Sequence, residues 1–390
     1  MSTLKVDGIR SNSASSDAIT MADNGTCTAN VTNNLSNRNI IINGAMQICQ
    51  RPQSSSGISS SNYYSCDRQK TQASYGGTWT VSQSTEAPSD NGFTKSLKYD
   101  CTGTVTPSAN SYLQHYYRVE GHDLQGVRKG TSNAKPLILS FWVKTNKTGT
   151  YNVEAIDQDN SRLSTFSYTV GNTNWNKYTI VFPADTTGAF GDDNGASLDI
   201  GWWLVAGSTF NTGSNQNAFG TFVQANRAPS NVNLADSTSN EWYITGIQLE
   251  IDHTGSGVAT DFEHRSYPEE LRRCQRYFYM HAHGAYVYSP NTPDSTPMGT
   301  ATKYTITSFY GIIYYPVQMR AHPSFYKSLG TDRLLFFAGA SSQGFNDVAN
   351  QDFGINGSIV NYYDSLNSSE AAGWVQLNNN NAYVGFNAEL

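Results

Sequence analysis

The sequence predicts a mainly β protein: an antiparallel β-sandwich, a smaller C-terminal β domain, an extended N-terminal arm and one connecting helix. Short stretches that alternate apolar with polar residues recur along most of the chain, separated by turn residues. Between residues 37 and 265 no amphipathic helix separates these stretches, which favours antiparallel sheets. Aromatic residues make up 12% of the chain and charged residues only 14%, a composition that suits strand faces and argues against disorder.

Residues 1–36 are predicted to form the arm. Two short alternating stretches, "TLKVDGIRS" and "DAITM", are followed by an Asp-Asn-Gly turn and a third stretch at Cys27–Val31. Segments of this length cannot bury a core of their own. We therefore expect the arm to gain order against a partner or within an oligomer.

Residues 37–265 form the largest predicted unit. In "PLILSFWVKT" (136–145), Leu137, Leu139, Phe141 and Val143 fall on one face and Ile138, Ser140, Trp142 and Lys144 on the other. The stretches "GTYNVEAID", "NKYTIVFPAD", "SLDIGWWLVAG" and "NEWYITGIQLEI" alternate in the same way, with turn residues between them. This pattern predicts two antiparallel sheets packed face to face.

Residues 266–280, "SYPEELRRCQRYFYM", are predicted to form the connecting helix. Pro268 suits the first helical turn, and Glu269 and Glu270 suit the positive N-terminal end. An apolar stripe consists of Leu271, Cys274, Tyr277 and Phe278. We expect this stripe to pack on the sandwich, with Arg272, Arg273 and Arg276 on a solvated face.

Residues 281–390 return to a β pattern. Strands are predicted within "YTITSFYGIIYYPVQM", "RLLFFAGAS", "NGSIVNYYDS" and "NAYVGFNAEL". No internal repeat of a solenoid period is present.

The composition argues against several classes of partner. The net charge is −6, from 25 basic and 31 acidic residues, which does not favour nucleic-acid binding. No apolar stretch approaches membrane-spanning length, and the N-terminus has no signal-peptide core, so we expect neither membrane insertion nor ordinary secretion. The five cysteines lack a CxxC pair, which predicts reduced thiols and no zinc site.

Motifs for catalysis or cofactor binding are not evident in the sequence. It contains no Gly-x-Ser-x-Gly elbow and no phosphate-binding Gly-rich loop, so we expect no catalytic residues and no cofactor. Asp157 with Asp159, and Asp192 with Asp193, could serve as carboxylate pairs, but both pairs lie in turns. The weak candidates for a metal are Asp192 and Asp193 for calcium, and His281 and His283 for a shared ion.

Aromatic side chains support a glycan-binding hypothesis, because a flat ring can cover the apolar face of a sugar while amides bind its hydroxyls. In "DIGWWLV" a regular strand would turn either Trp202 or Trp203 outward. The candidate glycan-binding residues are Trp203, Trp175, Tyr63 and Tyr64. The alternative for each is an ordinary core position.

Several stretches resemble tail-fibre and related virion proteins of tailed bacteriophages, of a marine phage type. "LSNRNIIINGAMQICQR", "YYSCDRQK" and "LSFWVKTNKTGTY" resemble a jelly-roll module of that family, although Gln69 stands where Trp is more usual. The most specific stretch is "EWYITGIQLEIDHTGSGVATDFEHRSYPEELRRCQRYF". "YYPVQMRAHPSF" and the ending "NAEL" resemble the C-terminal β module that follows.

This resemblance implies a jelly-roll sandwich whose first strand is Ile40–Ile48, with Asn43-Gly44 as a local turn or bulge. The Ser-rich tract that follows would be a surface loop, and Asp67 and Arg68 would tie it back to the sheet. The family implies no catalytic residues at these positions.

The expected function is therefore that of a phage virion component, a homotrimeric tail fibre that attaches to glycans on the host cell surface. The arm would dock to other virion proteins, and the protein would assemble in the host cytoplasm and leave by lysis. Two alternatives stay open. One is a capsid-bound decoration or accessory fibre protein, and the other is a tailspike-like glycan depolymerase.

Overall fold

The computed structural model describes residues 6–13, 15, 17–21, 23, 27–29, 37–284, 297–305, 307–328, 334–338, 341–363, 371–377 and 382–390. The predicted fold class is confirmed. The described residues form antiparallel sandwich sheets and a separate set of C-terminal β sheets, with few short helices. None of the described helices is both long and apolar enough to cross a lipid bilayer.

The N-terminal arm forms a three-stranded antiparallel sheet. Its strands are β1 (Gly8–Ile9), β2 (Ile19–Met21) and β3 (Cys27–Ala29). Val6, Ile9 and Met21 are exposed. A sheet of two- and three-residue strands in which Ile9 and Met21 stay exposed gains little free energy from burial.

The sandwich consists of a six-stranded sheet in the order β13-β10-β16-β8-β7-β4 and a seven-stranded sheet in the order β15-β12-β11-β14-β9-β6-β5. The strands are β4 (Ser54–Ile58), β5 (Asn62–Tyr63), β6 (Lys70–Ser74), β7 (Thr78–Ser84), β8 (Ser96–Gly103), β9 (Tyr112–Glu120), β10 (Leu137–Thr145), β11 (Gly149–Asp157), β12 (Arg162–Val170), β13 (Asn176–Phe182), β14 (Ala196–Ala206), β15 (Gly220–Thr221) and β16 (Glu241–Ile251). A short helix, α1, spans Ser208–Asn211, and 3₁₀ turns lie at Ser89–Asn91, Gly121–Val127, Gln224–Asn226 and Leu234–Asp236.

The predicted alternation in β10 is confirmed. Leu139, Phe141 and Val143 are fully buried in the core between the two sheets. On the opposite face Ile138 and Ser140 are buried as well, whereas Trp142 and Lys144 are half-buried. Antiparallel strands that cover one sheet with another bury one face of each strand, which is the arrangement that the period of two predicted.

The segment Ile40–Ile48 does not form the first strand that the family resemblance implies. Asn43 and Met46 adopt left-handed backbone conformations, and the Asn43 side chain accepts a hydrogen bond from Ile48 N and donates one to Ile48 O. These contacts close a buried turn. The following Ser-rich tract is not a loop either, because Ser54–Ile58 pair with β7 as an edge strand.

The connecting helix, α2, spans Tyr267–Gln275 and begins with Pro268 in its first turn. Its predicted extension to residue 280 is wrong. Residues Phe278–His283 form strand β17, in which Phe278 pairs with Asn387. Backbone pairing with a strand more than a hundred residues away therefore overrides the local helical stripe.

The apolar side of α2 packs on the sandwich. Cys274 and Tyr277 are buried together with Ile42 and Ile48 of the N-terminal turn. Arg276 donates to both carboxylate oxygens of Glu120 in β9, at 3.1 and 2.8 Å. Arg276 thus fixes the end of the helix to the seven-stranded sheet.

The C-terminal domain has a three-stranded sheet in the order β17-β26-β20 and a seven-stranded sheet in the order β22-β21-β25-β18-β19-β24-β23. Its strands are β17 (Phe278–His283), β18 (Pro297–Lys303), β19 (Ser308–Tyr314), β20 (Ser324–Ser328), β21 (Leu334–Ala338), β22 (Ser341–Phe345), β23 (Asp347–Phe353), β24 (Gly357–Tyr363), β25 (Ala372–Leu377) and β26 (Tyr383–Asn387). They enclose a second apolar core, which includes Phe309, Phe336, Val360, Val375 and Phe386.

A buried charge cluster joins the C-terminal segment to the sandwich. We call Arg51, Asp67, Arg68 and Glu389 the Glu389 cluster. The Glu389 carboxylate lies 2.5 Å from Arg68 and 3.3 Å from Arg51, and all three side chains are at most 3% exposed. Arg68 also donates to Arg118 O at 2.6 Å and lies over the Tyr277 ring at 3.5 Å.

His115 lies at the centre of the sandwich, against Tyr99, Trp202 and Trp242. Burial lowers the pKa of His115 to about 3. Below pH 6.5 the unfolded chain binds a proton that the folded protein does not, so acidification destabilises the fold. We expect this histidine to lower the free energy of unfolding by about 2 kcal/mol between pH 6.5 and pH 5.

Urea unfolding at several pH values checks this prediction. His115→Gln should remove this part of the pH dependence, whereas the same change at the exposed His253 should retain it. If the free energy of unfolding depends on pH equally in the two variants, the pH dependence does not come from His115.

Candidate functional site

Trp203 is not available to a glycan in this structure. Both Trp202 and Trp203 are fully buried. The strand turns them to opposite faces as expected, with Trp202 in the core between the sheets and Trp203 in a separate cluster on the outer face. The chain turns back after β14 as helix α1, and Phe210 of that helix packs on the Trp203 ring at 5.2 Å. The guanidinium of Arg227 lies 4.9 Å from the ring centroid. The outer face of β14 is thus covered by the loop that follows it.

Tyr63 is also a core position. It is buried, and its hydroxyl donates to Leu390 O at 2.8 Å. Tyr64 is half-buried, and its hydroxyl donates to Ser60 O at 2.9 Å. These contacts give both tyrosines a structural role at the edge of the sandwich.

Trp175 is half-buried just before β13, in the six-stranded sheet. Its Nε1 donates to Glu86 Oε1 at 3.0 Å, and Lys144 pairs with the same oxygen at 2.9 Å. The Tyr243 ring lies edge-on at 6.2 Å. Trp175 therefore belongs to a small polar and aromatic patch, in a different sheet from Tyr63 and Trp203.

The weak metal candidates each have separate partners. Asp192 accepts from His122 Nδ1 at 2.8 Å, and Asp193 accepts from Gly195 N at 2.7 Å. His281 Nε2 lies 2.7 Å from Met298 O, and the His283 ring stacks on Tyr383 at 6.0 Å. Within the described part of the chain, no group of three or more His, Cys, Asp or Glu side chains could hold a metal ion.

The ammonium group of Lys129 is surrounded by four oxygens, from two aspartates and two backbone carbonyls. Lys129 Nζ is 2.5 Å from Asp157 Oδ2 and 3.0 Å from Asp185 Oδ2, and it donates to the carbonyls of Thr187 and Gly188 at 2.7 and 2.8 Å. All three charged side chains are at most 7% exposed. Asp157, weighed from the sequence as half of an acid/base pair, is thus occupied by an internal cation.

A cavity of about 250 Å³ brings together two stretches that the sequence singled out, residues 39–47 and 262–270. Its polar groups already bind the chain itself. Glu263 Oε2 accepts from Asn39 N at 2.8 Å, and Glu270 accepts from Asn43 N and pairs with Arg265 at 3.3 Å. The specific "FEHR" stretch therefore closes the N-terminal turn onto helix α2, a structural role.

The candidate functional site lies on the outer face of the seven-stranded C-terminal sheet. The described chain has thirteen exposed large apolar or aromatic side chains, and six of them lie on this one face. We define the aromatic face as Tyr304, Tyr310, Ile312, Tyr314, Phe337, Ile359, Tyr363 and Trp374. Large exposed apolar patches are uncommon on monomeric proteins and are typical of interaction sites, which makes this face the candidate site.

The strand register explains why these side chains share a face. Along β19, Phe309, Gly311 and Ile313 are buried, whereas the alternate residue Ile312 is 57% exposed and Tyr314 is 75% exposed. Ile312 pairs with Ile359 of β24. Residues opposite one another in adjacent strands point to the same side of a sheet.

Two pairs of parallel rings stand out on the aromatic face. Tyr304, which is 70% exposed, stacks on Tyr310 with 4.5 Å between ring centroids. Trp374, which is 45% exposed, stacks on Phe337 with 4.4 Å between centroids. Both pairs have interplanar angles of 12°. The stacking and a hydrogen bond from the Tyr310 hydroxyl to Gln351 Oε1 at 3.0 Å hold these rings in fixed orientations.

The sequence contains a signal for this face. In "SFYGIIYY" the residues Tyr310, Ile312 and Tyr314 recur with a period of two on the side opposite Phe309 and Ile313. A strand that is apolar on both sides either has both faces covered by other elements or exposes one apolar face to solvent. Only the position of β19 in the sheet shows which.

Comparisons with known proteins are limited to structural similarity. A scan against protein-family models found no match, and neither did a search of curated proteins. Among solved structures, the chain is similar to the enzymatically active domain of tailspike protein 4 of bacteriophage CBA120. The identity is 14% and the TM-score 0.29, over 55% of this chain and 21% of that one.

Two further similarities are to a Family 16 carbohydrate binding module and to a putative sugar binding protein from Bacteroides thetaiotaomicron. The first has 14% identity and a TM-score of 0.23, over 43% of this chain and 84% of the module. The second has 10% identity and a TM-score of 0.29, over 55% of this chain and all of the other. These distant similarities concern a jelly-roll-like β-sandwich fold alone.

Proposed function

We propose that this protein is a homotrimeric tail fibre of a phage virion that attaches to host cell-surface glycans without cleaving them. The observation that carries the glycan-binding proposal is the aromatic face, with its two pairs of stacked rings, each of which has one exposed ring. The virion role is supported by the stretches that resemble tail-fibre proteins.

The aromatic face has the chemistry that a sugar requires. A pyranose presents apolar C–H groups on its ring faces, which a flat aromatic ring removes from water. Exposed hydroxyls of Thr300 and Thr302 lie between the two ring pairs and can bind sugar hydroxyls. One such contact is weak, and repeated copies in a trimer multiply it.

The N-terminal arm supports docking to other virion proteins. Its three strands have two or three residues each, and the side chains of Ile9 and Met21 in the strands and of Val6 before them are exposed. Partner subunits would cover these side chains and pair with the edges of the sheet.

Binding to an array of bacterial surface glycans tests the proposed function. Trp374→Ala and Tyr304→Ala should each lower the affinity for a bound glycan roughly tenfold, because each removes a ring that covers a sugar. Tyr75→Ala is the matched control, since Tyr75 is a 79% exposed tyrosine that is not part of the aromatic face. It should bind like the unchanged protein.

Three outcomes would contradict parts of this proposal. Failure of the unchanged protein to bind any glycan would remove the attachment function, and shortened polysaccharide after incubation would favour a depolymerase. A sedimentation mass near the 42.7 kDa monomer would remove the trimer. Labelling the N-terminus on intact particles distinguishes a tail fibre from a capsid-bound fibre.

A further inference from the structure

The two ring pairs of the aromatic face lie on strands that are not adjacent. Trp374 in β25 pairs with Thr300 in β18, and Thr302 in β18 pairs with Tyr310 in β19. Trp374 and Tyr310 are therefore two strands apart across the sheet and two residues apart along it. Both point outward, because Val375, Ala301 and Phe309 occupy the core positions beside them.

This register fixes the separation of the pairs. Two strand spacings of about 4.8 Å and two residue steps of about 3.3 Å place Trp374 and Tyr310 roughly 12 Å apart. A single sugar ring cannot touch both residues at that distance. A chain of several sugars that crosses β25, β18 and β19 can.

The charges on the face exclude one class of glycan. By register, the outward residues of the described strands in this sheet include Asp347 and Asp352 but no lysine or arginine. Asp347 is paired with Lys327 of β20 at 2.6 Å. This pair leaves Asp352 as the named outward carboxylate without such a partner lysine. An acidic polysaccharide needs cationic groups for attraction, and the outward residues of these strands supply a carboxylate and no lysine or arginine.

The polar residues between the pairs favour a sugar over a second copy of this chain. Thr300 and Thr302 are exposed between Trp374 and Tyr310. A strip of hydroxyls between two flat apolar platforms matches the alternation of ring faces and hydroxyls along a glycan. The dry core of an interface between copies would instead take the Thr300 hydroxyl out of water, which is costly unless a partner supplies a hydrogen bond. The Thr302 hydroxyl donates to Tyr310 O at 3.5 Å and can still accept from a sugar.

We infer that the ligand of the aromatic face is an uncharged glycan of several sugars, which lies across β25, β18 and β19 and contacts both ring pairs at once. This inference rests on the proposed glycan-binding function. To that function it adds three properties of the bound glycan: its charge, its minimum length and its direction across the sheet.

Titration calorimetry with oligosaccharides of one to six sugars tests the inference. The probes are neutral gluco- and manno-oligosaccharides together with acidic galacturonate oligomers, supplemented by hits from the glycan array. We expect affinity to rise at least about tenfold between one sugar and the length that reaches both pairs, and then to level off. Acidic oligomers should bind more weakly than neutral ones of equal length.

Two variants then identify the span. Trp374→Ala and Tyr310→Ala should each reduce the affinity of the long oligosaccharide to that of a short one, and the second change should add little to the first. Tyr75→Ala should leave the length dependence unchanged.

The outcomes separate this inference from the proposed function. If single sugars bind as tightly as long chains, or if acidic chains bind more tightly, the inference is wrong and glycan binding stands. If no probe binds, both fall. If Trp374→Ala instead lowers the oligomeric mass, the face is an interface between copies, and the inference is again wrong.

Discussion

Replacing Lys129 with methionine should lower the free energy of unfolding by about 3–5 kcal/mol. The change keeps much of the apolar stem beside the rings of Phe190 and Phe219 but removes the ammonium from between Asp157 and Asp185. Asp157 and the carbonyls of Thr187 and Gly188 would lose this cation, whereas Asp185 would keep its ion pair with Arg162 at 2.7 Å. Removing one partner of a buried ion pair is costly because the remaining charge stays desolvated.

Urea unfolding followed by tryptophan fluorescence measures this loss. The matched control is Lys144→Met, because Lys144 pairs with Glu86 at 2.9 Å but both side chains are about a third exposed or more. That pair should contribute at most about 0.5 kcal/mol. A loss below about 1 kcal/mol for Lys129→Met would show that the buried cluster is not what stabilises this loop.

The pH dependence should change in the same variant. Hydrogen bonds from Arg162 and Lys129 hold the pKa of Asp185 below its usual value of 3.8, against the opposing effect of burial. A depressed pKa contributes stability above pH 3.8 that is lost as the pH falls through the folded-state pKa. In Lys129→Met this contribution should shrink. Acidification below pH 4 should therefore lower the free energy of unfolding less in the variant than in the unchanged protein.

The second large effect is expected for Glu389→Gln, which should lower the free energy of unfolding by about 3 kcal/mol. Glu389 is the carboxylate that neutralises Arg68 and contributes to neutralising Arg51, and all three side chains are buried. Glutamine keeps the shape and one acceptor oxygen but removes the negative charge, so the Arg68 guanidinium would be left with Arg118 O and the rings of Tyr277 and Tyr117. Arg51 keeps Asp67, at 3.6 Å.

Glu269→Gln provides the control for this variant. Glu269 pairs with Arg273 at 2.9 Å on helix α2, where both side chains are a third to a half exposed, so its loss should cost at most about 0.5 kcal/mol. Urea midpoints and slopes compare the two. Similar midpoints would mean that the Glu389 cluster does not hold the C-terminal segment on the sandwich.

The sequence predicted the strand faces well because alternation is a local property. Leu139, Phe141 and Val143 are buried as predicted, and the same pattern located the main C-terminal strands. The start of helix α2 was predicted for a comparable reason, since Pro268 and the following glutamates act within one turn.

The candidate site was predicted less well. Trp203 and Tyr63 were chosen as glycan-binding residues and are buried, whereas the aromatic face was missed. Exposure of an aromatic side chain depends on what covers its strand. Helix α1 covers Trp203, and the described residues place no element over Trp374.

Asp67 and Arg68 show the same limit at the level of single contacts. The sequence indicated that they tie the nearby loop to the sheet. Asp67 does bind Gln50 within that region, but Arg68 reaches Glu389, 321 residues further along the chain. No spacing in the sequence predicts a contact of this range.

The sequence by itself therefore determined the β class, the faces of the individual strands and the place of the helix. These follow from side-chain direction and capping, which act over a few residues. The tertiary structure alone decided which strands are neighbours, which faces stay uncovered and which charges meet. Those depend on backbone pairing and packing between distant segments, whose free energy is gained only when the whole chain is folded.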